Sequence, residues 1–117
     1  MQKISVYQPE TRILSALDSL NLTTWASECI NYGMHFLFID LRYVSFMDSR
    51  GLGALLIIHN RVERAGGKIG FCGLSGQARM LMEMTELDKV FRVYNSYEEF
   101  EQSLDSFQAT TVPSQPQ

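Results

Sequence analysis

Cysteine, tryptophan and proline are scarce in this chain of 117 residues, at two, one and three residues. Cys29 and Cys72 lack CxxC spacing and stand in apolar segments, so neither a zinc site nor a disulfide is expected and both thiols are read as buried. No apolar run approaches the roughly 18 residues that cross a bilayer, residues 52–58 being among the longest. The opening residues carry no basic-then-apolar leader, and a cytoplasmic location is expected. An excess of positive charge is also missing. Thirteen acidic against ten basic side chains leave a formal net charge of −3, which provides no general attraction to nucleic acid or anionic lipid. No glycine-rich loop ends in lysine and a hydroxyl residue, and residues 51–53 lack the third spaced glycine of a dinucleotide loop. No cofactor is expected. The length excludes a multidomain enzyme and suits one core.

What is present alternates between two periods. Residues 4–7 and 11–14 are strand-like and flank Gln8-Pro9-Glu10, a turn signal that predicts a hairpin. Asn21, Thr23 and Thr24 each offer a cap for a first helix, which places Trp25, Cys29 and Tyr32 at helical spacing toward the sheet and stops at Gly33. Residues 36–39 are apolar without alternation, as in a strand covered on both faces, and Asp40 ends it. From Ser49 onward, Leu52, Leu55, Leu56, Ile58 and Val62 repeat every three to four residues up to Ala65-Gly66-Gly67, defining a second helix. A strand over residues 68–73, a helix after Ser75 containing Ala78, Leu81 and Met82, and a strand over residues 90–94 follow. Ser96 and Glu99 have the spacing of a capping box for a last helix through Phe100 and Leu104. The whole predicts one α/β domain over residues 1–107, a sandwich with a mixed sheet of about five strands, about four helices and an opening β-hairpin. Residues 108–117 are expected to form a disordered polar tail. Helix N-termini should gather beyond the strand C-terminal ends, so sites are expected on that rim.

The informative stretch is Phe46-Met47-Asp48-Ser49-Arg50-Gly51-Leu52-Gly53, where a strand becomes a helix through one acidic, one hydroxyl and two glycine residues. Ser49 stands at or beside the N-cap, and the glycines strip side chains from the first turn, leaving backbone open to another molecule. A phosphoryl group on Ser49 would carry about −1.5 to −2 charge at the positive end of a helix, with Asp48 opposing it.

This octapeptide resembles the signature of STAS domains, specifically bacterial anti-sigma factor antagonists. The similarity extends through residues 17–21, Ile39-Asp40-Leu41, Gly66-Gly67-Lys68, Leu74-Ser75, residues 87–94 and Ser96-Tyr97-Glu98-Glu99. The resemblance implies a partner-switching protein that binds an anti-sigma factor serine kinase and is released when that kinase phosphorylates Ser49. A metal-dependent serine phosphatase would restore the binding form, and ATP and magnesium would belong to the partner. It further implies that Asp18, Ser19, Asn21, Asp48, Gly51 and Leu52 contribute to the contact rim. Arg50, also placed in that rim, departs from the family's usual second small hydroxyl residue, and Ser15 replaces the glycine common three positions before the aspartate matched by Asp18.

An enzyme reading needs a base for Ser49. His59 is ten residues along the same helix, about 15 Å away along its axis, and His35 is expected at the far end of the sheet. Asp40 and Asp48 are read as strand-terminating and cap-flanking groups, not as a carboxylate pair, and no metal site is expected. Met80, Met82 and Met84 alternate along a helix, so they cannot share a face, and Met82 is expected to turn inward. A non-catalytic protein is therefore expected. A scaffold or transporter-associated STAS subunit that never cycles phosphate is the alternative, and a small nucleotide-binding protein the third.

Overall fold

A computed structural model describes residues 3–111 of the chain, with side chains to Asp105. The order is β1 (Ile4–Tyr7), β2 (Ile13–Leu14), α1 (Ala16–Asn31), β3 (Phe36–Asp40), β4 (Phe46–Met47), α2 (Ser49–Arg64), β5 (Lys68–Cys72), α3 (Gly76–Met84), a 3-10 turn (Leu87–Lys89), β6 (Arg92–Val93) and α4 (Tyr97–Thr111). Four strands form a parallel sheet in the order β1-β3-β5-β6, and β2 pairs with β4 in a separate parallel ribbon.

The expected opening hairpin is not formed. β1 pairs with β3, with Ile4 opposite Phe36, whereas β2 pairs with β4, with Ile13 opposite Phe46. The Gln8 side chain donates to Asp40 at the end of β3 (3.0 Å), so the chain leaving β1 is held across the sheet end instead of folding back beside it. The expected mixed sheet of about five strands is correspondingly a four-stranded sheet plus a two-stranded ribbon, with parallel pairing throughout the described residues.

β3 and β5, the inner strands, explain the run without alternation, because both faces are covered. Leu37, Ile39, Ile69 and Phe71 join Leu22, Ala26, Leu55, Ile58, Val62, Ala78 and Met82 in the larger core, beneath α1, α2 and α3. Phe36, Phe38 and Cys72 face the other way and are sealed by Phe100 and Leu104 of α4. Burying each such large side chain contributes about 1.5–3 kcal/mol, so this strand pair anchors the domain.

α1 starts at Ala16 after Ser15, well before the expected caps. Thr23 lies inside the helix, its hydroxyl donating to the Ser19 carbonyl (3.1 Å), so a hydroxyl suited to capping is absorbed by the preceding turn. Gly33 ends α1 at φ +79°, as the sequence predicts. Trp25 stacks tilted on Tyr7 with ring centroids 5.2 Å apart, but Tyr32 is 85% exposed and does not cover the sheet. Met82 is buried whereas Met80 and Met84 are exposed, as alternation on a helix requires. The strand expected over residues 90–94 shortens to β6, Arg92–Val93, because the Val90 and Phe91 amides close the 3-10 turn by donating hydrogen bonds to the Leu87 carbonyl. At α4 the Ser96 hydroxyl accepts from the Glu99 amide (3.1 Å), and the Glu99 carboxylate accepts from the Asn95 amide (2.8 Å). α4 runs through Thr111, into the segment expected as a tail. Residues 112–117 of that expectation lie outside the described residues.

Candidate functional site: the exposed serine at the start of helix α2

β4 delivers the chain to the rim, where Asp48 adopts an extended conformation and caps α2. Its Oδ1 accepts from the amides of Arg50 and Gly51, both at 3.0 Å. The cap is therefore Asp48, not Ser49. The orphan amides of the first turn need an acceptor, and a carboxylate at the positive end of the helix dipole is a stronger one than a hydroxyl. Ser49 becomes the first helical residue, exposed, with its hydroxyl free of hydrogen bonds among the described residues.

The two glycines differ. Gly51 is buried, and a Cβ there would collide with the Leu14 carbonyl oxygen of β2. The backbone openness expected at Gly51 is therefore spent on seating α2 against the ribbon. Gly53 fits the open-backbone expectation, since a Cβ there would meet nothing within 4 Å.

Internal bonds hold this corner. The Asp48 amide donates to the Leu14 carbonyl (3.4 Å), and the Met47 amide to Gln77 Oε1 of α3 (2.9 Å). The Ser19 hydroxyl donates to the Ser15 carbonyl (2.6 Å), with the Arg50 carbonyl as a second acceptor at 3.1 Å. Ser19, Asp48, Arg50 and Gly51 thus come together around Leu14. Asp18 is half-buried in the same turn of α1, Asn21 is exposed further along it, and Leu52 is half-buried against the core. Beside Ser49 the ribbon shows Ile13 and Phe46 to solvent, 53% and 45% exposed, on the face opposite buried Leu14 and Met47.

A second polar corner lies at the C-terminal end of β3. Asp40 is buried and accepts from Gln8, from the Arg42 amide (3.1 Å) and from Arg42 Nε (3.0 Å), with Arg42 Nη2 at 2.7 Å. Burial pushes the Asp40 carboxyl upward, but the Arg42 and Gln8 hydrogen bonds outweigh it and hold the group below its ordinary value. Opposite it in register, burial first and then the Asp40 charge push the Cys72 thiol up to about 11, so it stays protonated at neutral pH. Both cysteines are free and buried, as expected. Asp40 ends β3, as the sequence predicts, but its partners are not legible there. Gln8 is 32 residues away in the chain and gives no local signal.

No group of three or more metal-ligating side chains occurs among the described residues. His59 is buried within α2, next to Glu63 and Phe91. A cleft of about 340 Å³ between α3 and β6 is lined by Arg79, Glu83, Asp88 and Tyr94. It does not include Ser49, and its arginine is paired with Glu83 at 3.2 Å, so two carboxylates face one engaged cation. That lining disfavours a nucleotide phosphate.

The STAS domain family model matches residues 7–100, and the chain belongs to that family. Its α/β architecture is the STAS fold. A candidate anti-sigma factor antagonist from Thermotoga maritima superposes with a TM-score of 0.78 at 21% identity, with 86% of each chain covered. The Bacillus cell fate determinant SpoIIAA, an anti-sigma factor antagonist, is similar in its phosphorylated form, with a TM-score of 0.67, 18% identity and coverage of 88% of this chain and 93% of that one. The murine anion transporter Slc26a9 contains the same fold, with a TM-score of 0.67 at 20% identity over 88% of this chain and 18% of the transporter. At these identities the likeness is one of fold. No curated protein matches the chain by sequence. Among the described residues no helix is long and apolar enough to cross a membrane.

Proposed function

We propose that the protein is an anti-sigma factor antagonist that captures an anti-sigma factor serine kinase in the cytoplasm and is released when Ser49 is phosphorylated. The observation that carries this reading is the division of labour between Asp48 and Ser49. The aspartate takes the first-turn amides, so the serine hydroxyl points out of the fold with nothing to hold it. In the transfer, Ser49 Oγ attacks the γ-phosphorus of kinase-bound ATP. The bond from that phosphorus to the β–γ bridging oxygen breaks, ADP leaves, and the serine proton passes to a base of the kinase. The antagonist supplies the acceptor and no catalytic group, and magnesium and nucleotide stay with the partner.

With Asp48 already on the Arg50 and Gly51 amides, the new dianion cannot take those two donors and remains at the surface, repelled by the neighbouring carboxylate. The fold keeps its shape while the rim changes charge, and docking is lost by repulsion and by the cost of stripping water from phosphate. Asp18, Ser19, Asn21, Arg50, Gly51 and Leu52 frame this rim, with Ser19 and Gly51 acting through the position of α2. A serine phosphatase reverses the step.

The test is incubation with each serine kinase of this type from the same cell, followed by mass spectrometric mapping of phosphate. Phosphate on Ser49, capture retained by Ser49→Ala and capture weakened by Ser49→Asp support the reading. An unmodified Ser49, or equal affinity of the two variants, refutes it. The fold shared with Slc26a9 favours a second reading, a STAS subunit that acts beside an anion transporter. That reading expects no phosphate at all.

A further inference from the structure

α2 carries an unusual outward face. At about 100° per residue, Arg50, Gly53, Ile57, Arg61 and Arg64 fall in one sector, opposite buried Leu55 and Val62. All three arginines are exposed, and none pairs with a carboxylate among the described residues. Arg61 donates only to the Ser27 hydroxyl of α1 (3.0 Å). The single carboxylate of α2, Glu63, lies away from this sector and meets Arg92 at 3.4 Å. A chain of net charge −3 thus concentrates three unpaired cations along about 21 Å of one helix.

Two of these residues have no internal reason to be what they are. Arg50 sits in the first turn, where the helix dipole disfavours a cation, whereas Arg61 and Arg64 suit the last turn. Gly53 sits in the helix interior, where glycine is destabilising, yet nothing lies within 4 Å of the space its side chain would fill. An external surface that approaches closely at Gly53 and presents negative charge to the arginines accounts for both. Ile57, 46% exposed, and Leu20 of α1, 63% exposed and seven residues before Ser27 on the same side of its helix, supply apolar contact beside the charges.

We propose that the outward face of α2 is the docking surface for an acidic, partly apolar surface of the partner kinase, with Arg50, Arg61 and Arg64 receiving carboxylates and Gly53 admitting close approach. This rests on the reading of Ser49 as a phosphorylated switch, and it identifies what that switch acts on. A phosphate on Ser49 adds about −1.5 to −2 charge at the Arg50 end of a face bearing three positive charges, which lowers its net charge to about +1 to +1.5 and weakens its attraction for an acidic surface, most of all beside Arg50. A protein fits better than nucleic acid or lipid headgroups, because the exposed apolar side chains among the arginines have no counterpart on a phosphate array.

The test measures capture of each purified anti-sigma serine kinase of the same genome by the full chain, as wild type, Arg61→Glu/Arg64→Glu, Gly53→Gln and the off-face control Lys89→Glu. The double reversal is expected to weaken capture about ten- to hundredfold and to remove most of the loss seen on raising salt from about 50 to about 300 mM. Gly53→Gln is expected to raise the melting temperature, since it removes a helix-interior glycine, while weakening capture about tenfold or more. Lys89→Glu should change affinity by less than about twofold. Wild-type capture by both α2 variants, with Ser49→Asp still defective, overturns the docking face and leaves the phosphorylation switch standing. Failure of every kinase to bind or modify the wild type removes both. Loss, in the double reversal, of wild-type binding to a DNA duplex or to phosphatidylserine vesicles would assign the face to another macromolecule and overturn the proposal.

Discussion

Asp40 and Asp48 both end a strand on the same rim, and they are used in opposite ways. Asp40 is sunk beneath the surface and surrounded by donors from β3's own exit loop and from the segment after β1, so its charge closes a corner of the fold. Asp48 is exposed and spends one oxygen on two helix amides, which leaves the next residue, Ser49, free. Both aspartates are satisfied, yet only the second leaves an unengaged reactive group beside it. A polar corner offers chemistry to a partner when its own hydrogen bonds are completed from one side.

Substitutions can break this comparison in graded steps. The largest effect is expected at the seat shared by β2 and α2. Gly51→Ala drives a methyl into the Leu14 carbonyl, and urea unfolding should show a loss of about 1–3 kcal/mol or more. Partner capture should fall with it, because Arg50 and Ser49 move with the helix start.

Asp40→Ala comes next. It strips acceptors from Gln8 and from the Arg42 amide, and the loss is expected at about 1–3 kcal/mol, toward the low end because Arg42 is largely exposed and can turn to water. The closed corner also has a pH signature. Because the folded Asp40 carboxyl lies below its ordinary value, its contribution is complete above the unfolded value of about 4 and is lost as pH falls through the folded one. The stability gap between wild type and Asp40→Asn should therefore be widest at neutral pH and shrink on acidification below about pH 4. A gap independent of pH would show that the ion pair contributes nothing.

Asp48→Ala removes a cap and should cost about 1 kcal/mol in the same unfolding measurement. Ser49→Ala should leave stability within about 0.5 kcal/mol of wild type, even though it abolishes modification in the phosphate-mapping experiment. If Ser49→Ala instead cost as much as Asp48→Ala, the hydroxyl would be a structural cap and the contrast between the two corners would collapse.

Much of the fold was legible along the chain. The apolar run over residues 36–39, the helix period from Leu52 to Val62 and the glycine stop after α1 are local signals of burial and backbone freedom, and each element formed where its signal lies. The hairpin predicted around Pro9 does not form, because a tight-turn signature says only that the chain can reverse, not which strands will pair. Both short strands found stronger partners more than 25 residues away, about which residues 4–14 carry no information. α1 starts earlier than its candidate caps predict because Thr23 and Thr24 suit a cap and a helix interior alike, and only tertiary packing of Leu22 and Ala26 distinguishes the two.

At the site, the sequence alone determined that an acidic residue, a serine and two glycines would meet where a strand becomes a helix, since that order and spacing are covalent. Tertiary structure decided which residue caps, which glycine is filled by a neighbour and which faces open space, and that three arginines spread over fifteen positions of α2 share one solvent-facing surface. Those outcomes depend on what lies across a gap from each residue, and distance across the fold is set by packing among segments remote in the chain.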